Sequence, residues 1–266
     1  MGNQAIAVLE WYHAMGVDEW VEETPQNHLM RVEAPSPAPQ ASPVAAKAEA
    51  APPLKPATTP QAPSNYTPPS AALEKAKTLA ENCKSVDELR EAVMNFKELG
   101  ICRSATQPVF AEGAADAPLM VIGEAPEAEE DRRGTPFCGP SGKLLDKMLA
   151  AIEMSRETNA LITNSVYWRP PGNRTPSAEE IAICQPFVQR HIALHKPKLI
   201  LLLGGVAVRS VLDEQNSISR LRGKSHPLKQ GDATAVISYH PSYLLRQPSQ
   251  KRLAWQDLLR IKAALF

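Results

Sequence analysis

The chain opens with apolar positions Ile6, Leu9, Trp11, Tyr12 and Met15 at roughly helical spacing, and Trp20 follows a break at Gly16. That pattern predicts a short amphipathic helix, too small to fold alone. Large apolar side chains then all but vanish over residues 34–69 and return with a different rhythm. Periodic positions predict helices near 71–82 and 86–97, the second opened by Ser85 with Glu88 three residues on, a capping-box spacing. Beyond them the apolar residues gather into short runs: Leu119-Met120-Val121-Ile122, Leu161-Ile162-Thr163, Leu199-Ile200-Leu201-Leu202-Leu203 and Ala235-Val236-Ile237. Helical patterns lie between and after these runs, near 141–153, 177–194, 205–213 and 249–265. Continuous rather than alternating apolar strands separated by helices predict an α/β fold, a three-layer α/β/α sandwich around a central, mainly parallel four-stranded sheet. In such sheets ligands bind at the carboxyl ends of the strands.

Composition explains the interruption. Of 25 prolines in 266 residues, 11 fall in residues 34–69 together with 10 alanines. Such a segment cannot bury enough apolar surface to offset its ordering entropy, so it reads as a disordered, partly extended linker. The predicted organisation is an acidic segment over 1–33, a Pro/Ala linker over 34–70 and one domain over 71–266. The first segment would either pack back on the domain or serve as a docking peptide for a partner protein.

Charge changes the picture again. The formal net charge is zero, with 29 Lys+Arg and 29 Asp+Glu, which by itself speaks against a nucleic-acid partner. The sum conceals unlike parts. Residues 1–70 carry 3 basic and 7 acidic side chains, whereas residues 132–266 carry 20 basic and 9 acidic ones. The carboxy-terminal half is therefore basic enough to face phosphates. The length excludes a small disulfide scaffold. No apolar run reaches the roughly 18 residues of a membrane span, and the amino terminus lacks a secretory pattern. These features predict a soluble, cytoplasmic monomer with no membrane contact.

The residues at the predicted strand ends are chemically rich. The first strand runs into Gly123-Glu124-Ala125-Pro126-Glu127, then Glu130-Asp131 and Gly134-Thr135-Pro136-Phe137. The second ends in Asn164 and leads to Trp168-Arg169-Pro170-Pro171-Gly172-Asn173-Arg174, and the fourth ends in Tyr239-His240-Pro241-Ser242-Tyr243-Leu244-Leu245-Arg246. A carboxylate, an amide, an aromatic ring and an imidazole thus converge on one rim. Two further patterns carry less. Gly139-Pro140-Ser141-Gly142-Lys143 lacks the first glycine and the hydroxyl of a phosphate loop. His191 and His195, one helical turn apart, have no third metal ligand and read as a solvated helix end.

Over roughly 85–266, these motifs in this order resemble the family-4 uracil-DNA glycosylases. The resemblance implies a base-excision repair enzyme that acts on uracil-containing DNA, single- or double-stranded. It hydrolyses the N-glycosidic bond of deoxyuridine, releasing uracil and leaving an abasic site. By resemblance, His240 donates a hydrogen bond to the departing uracil, and Glu124 positions water or offsets the sugar cation, with Glu130 or Asp131 either sharing that role or serving as a helix cap or an ion-pair partner of Arg132 or Arg133. Asn164 reads the base edge and Phe137 stacks on it, with Gly123 and Ala125 lining the pocket and Asn173 contacting water or phosphate. Leu244 resembles the wedge that fills the vacated stack, and Arg246, Lys251 and Arg252 suit the neighbouring phosphates. Two alternatives stand beside this reading: a glycosylase for another deaminated base such as hypoxanthine or xanthine, and a non-catalytic DNA-binding protein that keeps the fold.

The chain also departs from that family. Ala125 stands where better-known relatives carry Asp, and Glu127 stands where the first motif has Gly. The family's [4Fe-4S] cluster has its fourth ligand at Cys184, but Trp168 occupies the third position and the first Cys-x-x-Cys is absent. Cys83, Cys102, Cys138 and Cys184 have no close pair, so the expectation is no cofactor and no metal.

Overall fold

The computed structural model of the protein describes residues 69–228 and 232–266. The predicted helix near Ile6–Met15 and nearly all of the Pro/Ala linker lie outside the described residues.

Helices α1 (Pro69–Asn82) and α2 (Val86–Asn95) come first. Ser85 caps α2 by accepting the Glu88 N–H at 3.2 Å, as its spacing predicts, while the Glu88 carboxylate turns back to the Lys84 N–H. The sheet strands are β1 (Ala111–Gly113), β2 (Leu119–Gly123), β3 (Ala160–Asn164), β4 (Leu199–Leu203), β5 (Ser225–Pro227) and β6 (Thr234–Ser238). They lie in the order β1-β3-β2-β4-β6-β5, and the inner four are mutually parallel. The sheet is thus six-stranded rather than four-stranded. The two additions are antiparallel edge strands of three residues, Ala111-Glu112-Gly113 and Ser225-His226-Pro227. Short and half exposed, they carry no apolar run by which the sequence could announce them.

The remaining helices are α3 (Ala128–Arg133), α4 (Pro140–Ala150), α5 (Ala178–His195), α6 (Gly205–Leu212), α7 (Ile218–Leu221), α8 (Pro241–Arg246) and α9 (Lys251–Leu265). Strand residues alternate between two cores. Met120, Ile122, Ile200, Leu202 and Ile237 face the side covered by α1, α2, α5 and α6. Leu119, Val121, Leu199, Leu201 and Val236 face the side covered by α4 and α9. Both faces are buried, which is why the inner strands read as unbroken apolar runs. Among the described residues no helix is long and apolar enough to cross a membrane.

His191 differs from expectation. It is buried rather than solvated and stacks on Phe110 with ring centroids 4.7 Å apart. Burial pushes its pKa down to about 3, and neither ring nitrogen has a hydrogen-bond partner. The i, i+4 spacing places it one turn before His195 on α5, whose Nε2 lies 2.9 Å from the Ala117 carbonyl. α5 packs against α1, α2 and α6, so His191 is buried in the interior while His195 is only partly buried.

Candidate active site

The parallel register sets Gly123 of β2 directly beside Asn164 of β3, at the carboxyl ends of both strands. Pairing continues past the strand ends: Ser165 N–H donates to the Gly123 carbonyl at 3.0 Å and Val166 N–H to the Glu124 carbonyl at 3.1 Å. A side chain on Gly123 would run into Asn164 Oδ1 and the Phe137 ring. Glycine is therefore what allows these two groups to approach the same point. Asn164 is buried, and its Nδ2 has no hydrogen-bond partner. An amide donor held dry and unpaired is costly, and such an atom marks a place where an acceptor from outside belongs.

The Phe137 ring is buried 5.5 Å, centroid to centroid, from the His240 imidazole. His240 caps α8, accepting the Ser242 N–H on Nδ1 at 3.2 Å, and the Ser242 Oγ lies 2.8 Å from the same nitrogen. An atom that accepts a backbone N–H carries no proton, so the serine hydroxyl also donates to it, and the neutral ring holds its proton on Nε2. Burial, helped by the Arg246 cation, pushes the His240 pKa down to about 4. At neutral pH this imidazole is uncharged and available as a single N–H donor.

Beside His240 opens a cleft of about 400 Å³, walled by Glu124, Ala125, Glu127, Asn173, His240 and Arg246 among others, whereas Gly123, Phe137 and Asn164 are not among its walls. Burial raises the Glu124 carboxyl, while the Thr175 hydroxyl and the Arg209 and Arg246 cations oppose that rise. Asn173 accepts from Arg169 Nε at 2.7 Å on the exposed rim. The two other acidic candidates stand apart from the cleft. Glu130 is the N3 member of a capping box on α3, and Asp131 accepts from Thr106 N–H and Oγ1 at 2.8 and 2.9 Å. Arg132 and Arg133 pair with Glu129 instead of either.

The structure divides the expected phosphate-side group. Arg246 lines the His240 cleft, whereas Lys251 and Arg252 line a second, apolar groove of about 410 Å³ with Leu244 and Trp255. Leu244 is only 1% exposed and packs in the core under α8, so it presents no free apolar tip. Leu245, the next residue, is 45% exposed. A six-residue helix turns about 100° per residue, and a motif match cannot tell which of two adjacent leucines faces out.

Several groups that shape the site carried no readable signal. Ser242 and Thr175 act through single hydroxyl contacts. Arg156 sits alone in a polar connection, yet it donates to the Pro136 and Phe137 carbonyls at 3.2 and 3.0 Å. Gly142, from the failed phosphate-loop pattern, is needed because a Cβ there would overlap the Phe137 carbonyl.

The family model described as the Uracil DNA glycosylase superfamily matches residues 110–259, a span that contains every strand end and every cleft residue named above. The chain belongs to the uracil DNA glycosylase superfamily. Similar members include a type-4 uracil-DNA glycosylase of Archaeoglobus fulgidus, 33% identical over 184 residues, 67% of this chain and 92% of that one. Another, from Sulfurisphaera tokodaii, is 33% identical over 67% of this chain and 84% of its own length. A third, from Thermotoga maritima, is 37% identical over 59% of this chain and 83% of its own length.

An iron–sulfur cluster of the kind this superfamily's family-4 members carry does not fit the residues present. Cluster ligands must be thiolates gathered around one point. Cys83 donates its Sγ–H to the Leu79 carbonyl, and Cys138 lies in the loop beside Phe137. Trp168, which replaces the third ligand, is buried against Phe96 at 5.9 Å, and Phe96 packs edge-on to Phe187 at 5.3 Å. Among the described residues no group of three or more His, Cys, Asp or Glu could hold a metal ion.

Proposed function

We propose that this chain is a uracil-DNA glycosylase that hydrolyses the N-glycosidic bond of deoxyuridine in DNA, releasing uracil and leaving an abasic site. The observation that carries the reading is the unpartnered, buried Asn164 amide held beside Phe137, whose ring lies 5.5 Å from the His240 imidazole. The glycosidic bond is inaccessible within a duplex, so the nucleotide must be extruded first. The uracil edge offers an N3–H donor and an O4 acceptor, which one amide can satisfy together. Cytosine offers the opposite pattern at both atoms, so an Asn164 amide kept in the orientation that pairs with uracil would leave it unpaired.

Phe137 supplies the stacking surface for the extruded base, and Gly123 and Ala125 keep the approach open. As the bond from C1′ to N1 breaks, the electron pair leaves with the base. The neutral His240 donates from Nε2 to the carbonyl oxygen on which that charge collects. Glu124 orients the attacking water and takes its proton, and its charge offsets the cation developing on the sugar. Asn173 and Arg246 hold the flanking strand, Leu245 fills the gap in the stack, and Lys251 and Arg252 meet phosphates beyond it. In this reading the enzyme holds no iron–sulfur cluster, because Trp168, buried against Phe96, stands at the third ligand position.

Excision assays on single- and double-stranded oligonucleotides carrying uracil, hypoxanthine or xanthine test this reading, with His240→Ala and Asn164→Ala as controls. Cleavage at uracil that both substitutions abolish is the expected result. DNA binding without cleavage at any base would overturn it. Purified protein should be colourless and free of iron; stoichiometric iron would refute the cluster-free part alone.

A further inference from the structure

We infer that Glu130 and Arg156 are positioning residues that clamp the backbone of Phe137 from both sides and so set the affinity for the extruded base. The inference rests on the proposed stacking role of Phe137.

Phe137 has φ 52°, in the left-handed region that a bulky side chain avoids unless its surroundings impose it. Three restraints impose it. Its N–H donates to Glu130 Oε1 at 2.8 Å, in a buried contact. Its carbonyl accepts from Arg156 Nη2 at 3.0 Å, while Nη1 of the same guanidinium takes the Pro136 carbonyl at 3.2 Å. On the remaining side Gly142 lies so close that no side chain could stand between them. Arg156 is itself locked by Asp146, at 3.0 and 2.7 Å, and by Glu112.

Glu130 does more than hold one residue. Its second oxygen accepts the Glu127 N–H at 3.2 Å. One carboxyl group therefore ties the loop after β2, which carries Glu124, to the loop that carries Phe137. Neither Glu130 nor Arg156 is among the residues that wall the His240 cleft. Both act through the backbone they hold, Arg156 through Phe137 and Glu130 through Phe137 and the loop after β2.

Burial lifts the Glu130 carboxyl up to about 7, with Glu127 adding to the rise and the two backbone N–H donors and Arg156 opposing it. Cys138 also feels its charge. When ionised, the carboxylate accepts both N–H groups. When protonated, one oxygen becomes a hydroxyl and one of those bonds weakens. The KM for uracil-containing DNA should accordingly fall as pH rises through about 7, with kcat following it much less.

The test compares wild type, Glu130→Gln, Arg156→Lys and Arg156→Ala on an oligonucleotide carrying uracil, and on the same oligonucleotide carrying an abasic site, which offers no base to stack. Expected are an approximately tenfold higher KM in Glu130→Gln, a kcat within about threefold of wild type, loss of the pH step in KM and unchanged abasic-site affinity. Arg156→Lys, which keeps one cationic donor, should fall between wild type and Arg156→Ala. Glu130→Gln with unchanged KM and pH profile, or with an equal loss on abasic DNA, would overturn the inference. Binding is measured independently of turnover. A wild type that prefers uracil over abasic DNA without cleaving it would refute the hydrolysis reading while still testing this one through the same two affinities.

Discussion

Ser242 holds the imidazole of His240 from two directions, its backbone N–H 3.2 Å and its hydroxyl 2.8 Å from Nδ1. Both donors stabilise the neutral ring with its proton on Nε2. His240→Ala should lower kcat by about 100- to 1000-fold, the usual scale for removing a donor from a developing anion. Ser242→Ala keeps the backbone contact and should lose only about tenfold. The acid limb of the wild-type kcat should follow Glu124, whose carboxyl burial raises, because a protonated carboxyl cannot take the water proton; His240 takes up its own proton only near 4. Ser242→Ala removes a bond that favours the neutral form, so His240 should protonate at higher pH in that variant, as an NMR titration of the imidazole would show.

Asn164 separates stability from activity. Its buried Nδ2 has no partner, and an unsatisfied buried donor costs a folded protein about 1–3 kcal/mol. Asn164→Ala should therefore abolish uracil excision while leaving the thermal midpoint unchanged or slightly higher. A substitution that costs both activity and several degrees of stability would mean that the amide serves the fold.

Much of this arrangement could be read from the sequence for a definite reason. The inner strands are covered on both faces, so β2, β3, β4 and β6 appear as apolar runs, and the residues just after them mark the rim. Asn164 was legible because it ends such a run, and His240 because it follows one by two residues. The edge strands β1 and β5 left no trace, since an exposed strand of three residues has no obligatory apolar side chain. The six-residue helix α8 hid which of Leu244 and Leu245 faces out. Arg156 and Glu130 were illegible as partners because their contacts are with the backbone of Phe137, and a backbone contact leaves no mark on the residue type it holds.

Leu244 and Leu245 should respond oppositely to truncation. Leu244 lies in the core with Leu258 and Ala254 of α9, and Leu244→Ala should destabilise the protein by about 2–5 kcal/mol in denaturant unfolding. Leu245→Ala should leave stability within about 0.5 kcal/mol. It should lower excision from duplex DNA more than from single strands, which have no stack to refill. Equal losses on the two substrates would remove Leu245 from the wedge role.

Acid should unfold this protein earlier than its carboxylates alone require. His191 and His240 have folded-state pKa values of about 3 and about 4, against about 6.5 in an unfolded chain. Between those limits the unfolded state binds protons that the folded state refuses, so stability falls as pH falls below about 6.5 and stops falling at the folded values. For His240 the loss is on the order of 3 kcal/mol by pH 4. His191 lies against Phe110, away from the cleft, so His191→Phe should recover part of the acid stability without altering kcat. Chemical denaturation at pH 7 and pH 4.5 measures this: the variant should narrow the wild-type difference by about 2 kcal/mol. An unchanged difference would place the acid sensitivity elsewhere.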